Sequence, residues 1–88
     1  RILISTGRMK KEHDITVKQI RDGGIDFDAI YMRSDTDYRP DDELKEGYLT
    51  KMRKDGYNPT IAFDDRQRVV DMFRSKGLTV FQVAEGDF

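Results

Sequence analysis

Short apolar runs alternate with helical stripes along the whole chain, and this alternation restricts the fold more than any other feature. Ile2-Leu3-Ile4, Ala29-Ile30-Tyr31-Met32 and Ile61-Ala62-Phe63 are too short for helices and lack strict polar alternation, as parallel strands covered on both faces do. They place strands over residues 1–5, 28–33 and 60–63, with a fourth over 78–83. Between them, Ile15, Val17 and Ile20 mark a helix over 14–21 that Gly23-Gly24 stops. Leu44, Tyr48, Leu49 and Met52 mark a second helix from Asp41 to Gly56, and Val69, Val70 and Phe73 a third that ends at Lys76-Gly77. The order β-α-β-α-β-α-β with short connections predicts an α/β fold. Its simplest form is a Rossmann-like parallel sheet with right-handed crossovers and flanking helices.

Composition narrows the class. The 88 residues allow one domain or part of one, and a chain of that size buries only about 60% of its unfolded surface. Leu, Ile, Val and Phe make up 21 positions, about 24%, above the ~20% below which disorder is the default. The chain has no cysteine, which removes disulfides, thiolate zinc sites and thiol nucleophiles. Its apolar runs are far short of the ~20 residues of a spanning helix, so a soluble, cytoplasmic protein without a membrane partner is expected. Because Arg1 leads directly into an apolar run, the chain is expected to be a portion of a larger protein with a further segment upstream.

In an open parallel sheet, ligands bind beyond the carboxyl ends of the strands. The residues there are Ser5-Thr6-Gly7-Arg8, the polar stretch Ser34 to Pro40 leading to Asp41 and Lys45, and Asp64-Asp65-Arg66. Together they offer a hydroxyl, a permissive glycine backbone, guanidinium and ammonium groups for a phosphate, and hard carboxylate oxygens for Mg²⁺. Each motif also has a plain structural explanation. The acidic pair would cap a helix, Thr6-Gly7-Arg8 would make a turn, and Asp41 and Lys45 would form a helix-surface ion pair. Their shared edge of the inferred sheet favours a site.

In that order, Ile2 to Arg8, Asp41 to Lys45 and Ile61 to Arg66 resemble motifs two, three and four of the haloacid dehalogenase (HAD) phosphohydrolases. They are most similar to the phosphatase domain of the bacteriophage polynucleotide kinase/phosphatases. Val69 to Arg74 and Phe81 to Phe88 are similar to the C-terminal segment of that domain. The resemblance implies that residues 1–88 form the C-terminal portion of one HAD-like phosphatase domain that lacks the first strand, which would belong in the sheet interior. It implies a Mg²⁺-dependent phosphomonoesterase acting on the 3′ ends of DNA or RNA. Thr6, Gly7 and Arg8 would bind the phosphate, Asp41 would orient Lys45 beside it, and Asp64 and Asp65 would hold Mg²⁺ directly or through water.

The family's Asp-x-Asp, which carries the nucleophile and the general acid/base, precedes motif two, so the phosphoaspartate is expected to form outside this chain. Isolated, the chain is expected to be inactive. Asp26-Phe27-Asp28 follows no strand, and Asp35-Thr36-Asp37 continues into Tyr38-Arg39 where the family has small residues. Neither is read as a substitute. The net charge of −1 shows no general nucleic-acid footprint. Residues 1–21, however, hold six basic side chains against two acidic, and residues 34–46 six acidic against two basic. Short-range contact with a strand end is consistent with that pattern. A phosphatase for nucleotides or small metabolites, and a non-catalytic α/β interaction module, remain the alternatives at this stage.

Overall fold

The structure, a computed structural model, describes residues 1–84. It is mixed α/β: β1 (Leu3–Met9), a single 3-10 turn at Lys10–Glu12, α1 (His13–Asp22), β2 (Ala29–Arg33), α2 (Asp41–Lys54), β3 (Ile61–Asp64), α3 (Gln67–Ser75) and β4 (Thr79–Gln82). Hydrogen bonds join the described strands into two parallel pairs, β1 with β2 and β3 with β4, in place of the single ladder expected. Each pair is one strand-helix-strand unit, in which the crossover helix brings consecutive strands side by side. The chain accordingly divides into two compact units, Arg1–Arg39 and Pro40–Phe88. Among the described residues, no helix is long and apolar enough to cross a membrane.

In the first unit, β1 and β2 run in register from Leu3 opposite Ala29 to Ser5 opposite Tyr31, and meet again at Met9 opposite Arg33. Thr6, Gly7 and Arg8 therefore bulge from the ladder opposite the single residue Met32. The sequence places the end of the strand at Ser5; the structure carries it through this irregular stretch to Met9. Helix α1 buries Thr16 and half-buries Val17 and Ile20, while Ile15 lies outward at 57% exposure. This corrects the expected stripe, and helical geometry explains it. At about 100° per residue, Ile15 stands nearly opposite Val17 and Ile20, whereas Thr16, Val17 and Ile20 fall within one arc.

The second unit has the better-formed core. Leu49, Val69, Val70, Phe73, Leu78 and Val80 form one buried cluster, with Ala62 and Met72 packed against it. The stripe Leu44, Tyr48, Leu49 and Met52 faces inward as its spacing predicts. Charges at both ends of α2 oppose its dipole, with Asp41, Asp42 and Glu43 in the first turn and Lys51, Arg53 and Lys54 in the last. The third strand departs from expectation. Only its Ala62 side meets the core, while Ile61 and Phe63 are exposed and Phe63 stacks on Phe81 of β4 with centroids 5.4 Å apart. Helix α3 covers one face of this pair, so alternate side chains emerge on the other.

Helix α3 is closed by two backbone bonds, from the Leu78 amide to the Phe73 carbonyl and from the Gly77 amide to the Arg74 carbonyl, both 3.1 Å. This 6→1 and 5→2 pairing requires a left-handed residue at Gly77, whose φ is 90°. It turns the chain so that Leu78 enters the core ahead of β4. No neighbouring atom would meet a Cβ at Gly77, so a side chain there would strain only the backbone. Gly77→Ala is expected to lower the unfolding free energy by about 1–2 kcal/mol, with Gly77→Asn costing less, as measured by urea denaturation.

Candidate functional site

The residues singled out by sequence fall into two sets, one in each unit. In the first unit, the bulge after Ser5 turns Thr6 back on the chain, and its Oγ1 accepts the Arg8 amide at 3.1 Å. The Arg8 guanidinium reaches α1, where its Nη1 donates to Gln19 Oε1 at 2.6 Å and to Thr16 Oγ1 at 3.4 Å. Arg33, which sequence reading left unassigned, holds this stretch from the end of β2. Its Nε donates to the Gly7 carbonyl at 2.9 Å, and its Nη1 donates to the carbonyls of Asp37 at 3.1 Å and Arg39 at 2.6 Å. One guanidinium thus fixes both the bulge and the loop after β2. Bulges re-aim side chains at the rims of sheets, and this one leaves a hydroxyl and an exposed guanidinium within a two-residue span.

The aspartates weighed as substitutes for an upstream pair have other partners. Asp28 lies at the start of β2, where its Oδ2 accepts the Ile2 amide at 2.7 Å, at the opposite end of the strands from the carboxyl edge. Asp35 Oδ1 accepts the Lys11 amide at 3.0 Å. Asp37 receives the Arg39 guanidinium on both oxygens, at 2.7–3.1 Å, and the Arg39 amide at 3.1 Å. These bonds, the side-chain ones foremost, hold its carboxyl well below the ordinary 3.8, at about 2.

In the second unit, four polar residues from α2, β3 and the turn after β3 are drawn together. Lys45, one turn into α2, donates from Nζ to Asp64 Oδ2 at 2.9 Å, and the two side chains are only 12% and 8% exposed. The other oxygen of Asp64, Oδ1, accepts the Arg66 amide at 3.0 Å as the chain leaves β3. The Arg66 side chain turns back to α2, where Nη1 donates to Asp41 Oδ2 at 2.6 Å. Bonds therefore run from Asp41 through Arg66 and Asp64 to Lys45. The loop is held further by Gln82 Nε2, which donates to the Asp65 carbonyl at 3.2 Å and to Gln67 Oε1 at 3.1 Å.

The two acids of Asp64-Asp65 have different surroundings. Asp64 is shielded and engaged on both oxygens, whereas Asp65 is exposed. No group of three or more His, Cys, Asp or Glu side chains positioned for a metal occurs among the described residues. An ion that keeps most of its water and takes one or two carboxylates, as Mg²⁺ does, fits this donor set. A dehydrated all-protein cage does not.

The family model of the polynucleotide kinase PNKP phosphatase domain matches residues 1–88. The chain belongs to this family. Two solved structures, of a Pnkp1/Rnl/Hen1 complex and of the Pnkp1/Rnl/Hen1 RNA repair complex, each contain a chain similar to this one. Both align over 100% of the present chain at TM-score 0.91 and 32% identity. This PNKP phosphatase-domain chain spans 31% and 29% of theirs. Its family matches the resemblance carried by Thr6-Gly7-Arg8, Asp41 to Lys45 and Asp64-Asp65. Part of the C-terminal match, residues 85–88, lies outside the described residues.

Sequence reading placed Arg33 in the second strand and Arg66 in the motif after the third, but gave neither a role. Both were legible as charged residues at or just after a strand's carboxyl end. Nothing in spacing alone told that each would brace a motif instead of facing solvent.

The Asp37–Arg39 fork has a pH signature. A carboxyl depressed by its partner contributes stability that is whole above its ordinary 3.8 and is lost as pH falls through about 2. NMR titration of the Asp37 side chain is expected to give a midpoint near 2, moving toward 3.8 in Arg39→Ala.

Proposed function

We propose that this chain supplies the phosphate-handling half of a phosphatase domain that removes 3′-phosphates from the ends of DNA or RNA, using Mg²⁺. One observation carries the reading: a lysine ammonium is fixed at the carboxyl end of a parallel strand by a shielded aspartate, directly before an exposed one. Lys45 brings positive charge to the end of β3, so an anionic phosphate and an attacking carboxylate meet less repulsion there. Asp64 keeps that ammonium in place. Thr6 donates its hydroxyl proton to a phosphate oxygen, the backbone around Gly7 approaches closely because no Cβ intervenes, and Arg8 offers further N–H donors of its fork.

Asp65 would hold Mg²⁺ directly, and Asp64, with both oxygens engaged, through water. When bound, the ion neutralises charge on the transferring phosphoryl group. The attacking carboxylate comes from outside these 88 residues. Its oxygen bonds to phosphorus as the bond to the 3′ oxygen breaks, the departing oxygen takes a proton, and water then releases phosphate and regenerates the carboxylate. The neighbouring RNA repair complex supports a nucleic-acid substrate and additional domains in the full-length protein.

The test is phosphate release by the full-length protein. A 3′-phosphorylated DNA or RNA oligonucleotide should be turned over well ahead of a nucleoside monophosphate or a sugar phosphate, and chelation of Mg²⁺ should abolish release. Lys45→Gln and Asp65→Asn should each lower kcat by about 10²–10³-fold. Faster turnover of the small substrates would assign the chain to a metabolite phosphatase. Wild-type rates in both variants would remove the site.

A further inference from the structure

We propose that Arg66 is a positioning residue for Lys45. It braces the first turn of α2 against the end of β3, so that the ammonium meets Asp64 in one geometry. The inference rests on the reading of Lys45 given above and adds a residue to which that reading gives no role. Its support is the pair of bonds made by this single residue: the amide donates to Asp64 Oδ1 at 3.0 Å, and the guanidinium donates to Asp41 Oδ2 at 2.6 Å.

Three features make the brace matter. Lysine is a compact charge on a flexible four-carbon stem, so its position depends on where its helix starts and on what meets its tip. Asp41 and Lys45 lie four apart in α2 and share a face, so anchoring Asp41 also sets the direction from which Lys45 leaves the helix. The residue before the helix, Pro40, makes no side-chain capping bond, so the Arg66–Asp41 contact contributes a side-chain restraint where the cap gives none. A planar guanidinium suits this task, since less freedom is lost per bond than with a lysine in its place. The side chains of Arg66 and Asp41 are 35% and 20% exposed, so the pair is partly shielded from water and salt.

The experiment compares Arg66→Ala, Arg66→Lys, Asp41→Ala and the Arg66→Ala/Asp41→Ala double variant in the full-length protein, with two readouts. In steady-state release from a 3′-phosphorylated oligonucleotide, Arg66→Ala should lower kcat by about 10–100-fold, as expected for a misplaced catalytic group, with KM within twofold. Arg66→Lys should recover part of the loss. The double variant should be no slower than Asp41→Ala, because both changes remove one brace. Independently of activity, amine-selective acylation read by mass spectrometry should label Lys45 several-fold faster in Arg66→Ala than in the wild type, and slowly again in Arg66→Lys. A raised KM at unchanged kcat would instead make Arg66 a substrate-binding group and overturn the proposal. Unchanged kcat, or unchanged Lys45 labelling in a folded Arg66→Ala protein, would overturn it as well. Should the wild-type protein release no phosphate from any substrate, the reading of Lys45 fails, while the labelling still decides whether Arg66 holds the lysine in place.

Discussion

A lysine and an aspartate removed from most of their water dominate the second unit. Such a pair gives up much hydration, and replacing it with apolar side chains is often neutral or stabilising, so stability alone is a weak reason for its presence. The Lys45–Asp64 pair is tolerated because Asp64 is satisfied twice, by the ammonium and by the Arg66 amide. Removing either charge would leave the other shielded and uncompensated. The surrounding structure is arranged accordingly: α2 begins one turn before the lysine, β3 ends on the aspartate, and the buried cluster around Val69 and Val70 holds α3 behind them.

The same division of labour occurs in the first unit with arginine in place of aspartate as the organiser. Arg33 gathers three carbonyls, that of Gly7 in the irregular stretch of β1 and those of Asp37 and Arg39 in the loop after β2. Irregular backbone needs such donors, because a carbonyl withdrawn from water without a partner is expensive. Guanidinium groups suit this use, since several N–H vectors leave one rigid plane. In both units, then, an arginine braces residues that resemble a phosphate or metal site.

Much of this was legible in the sequence, for identifiable reasons. The stripes Leu44/Tyr48/Leu49/Met52 and Val69/Val70/Phe73 encode burial directly, because helical spacing leaves one face for the core. The stops at Gly56 and Gly77 mark left-handed positions that few other residues adopt. The short apolar runs gave parallel strands and the α/β class. Cover on both faces of the third strand was not found, because Ile61 and Phe63 are apolar whichever way they point. Ile15 was misplaced for a similar reason, since counting apolar residues in a window does not weigh their angles. The acidic and basic motifs were found as types, yet their bonding was not: Asp41 could face Lys45 or Arg66 with equal sense until the turn after β3 was fixed in space.

The bulge of β1 sets a rule of parity for any length change there. From Ser5 to Met9 the strand advances four residues while its partner advances two, from Tyr31 to Arg33, so the excess is an even number. Side chains alternate every residue along a strand, and an even excess lets Met9 rejoin in phase with Ser5. A relative of this chain could lengthen or shorten that stretch by two residues and keep both ends of the pairing. A change by one would put Met9 out of phase with its place opposite Arg33.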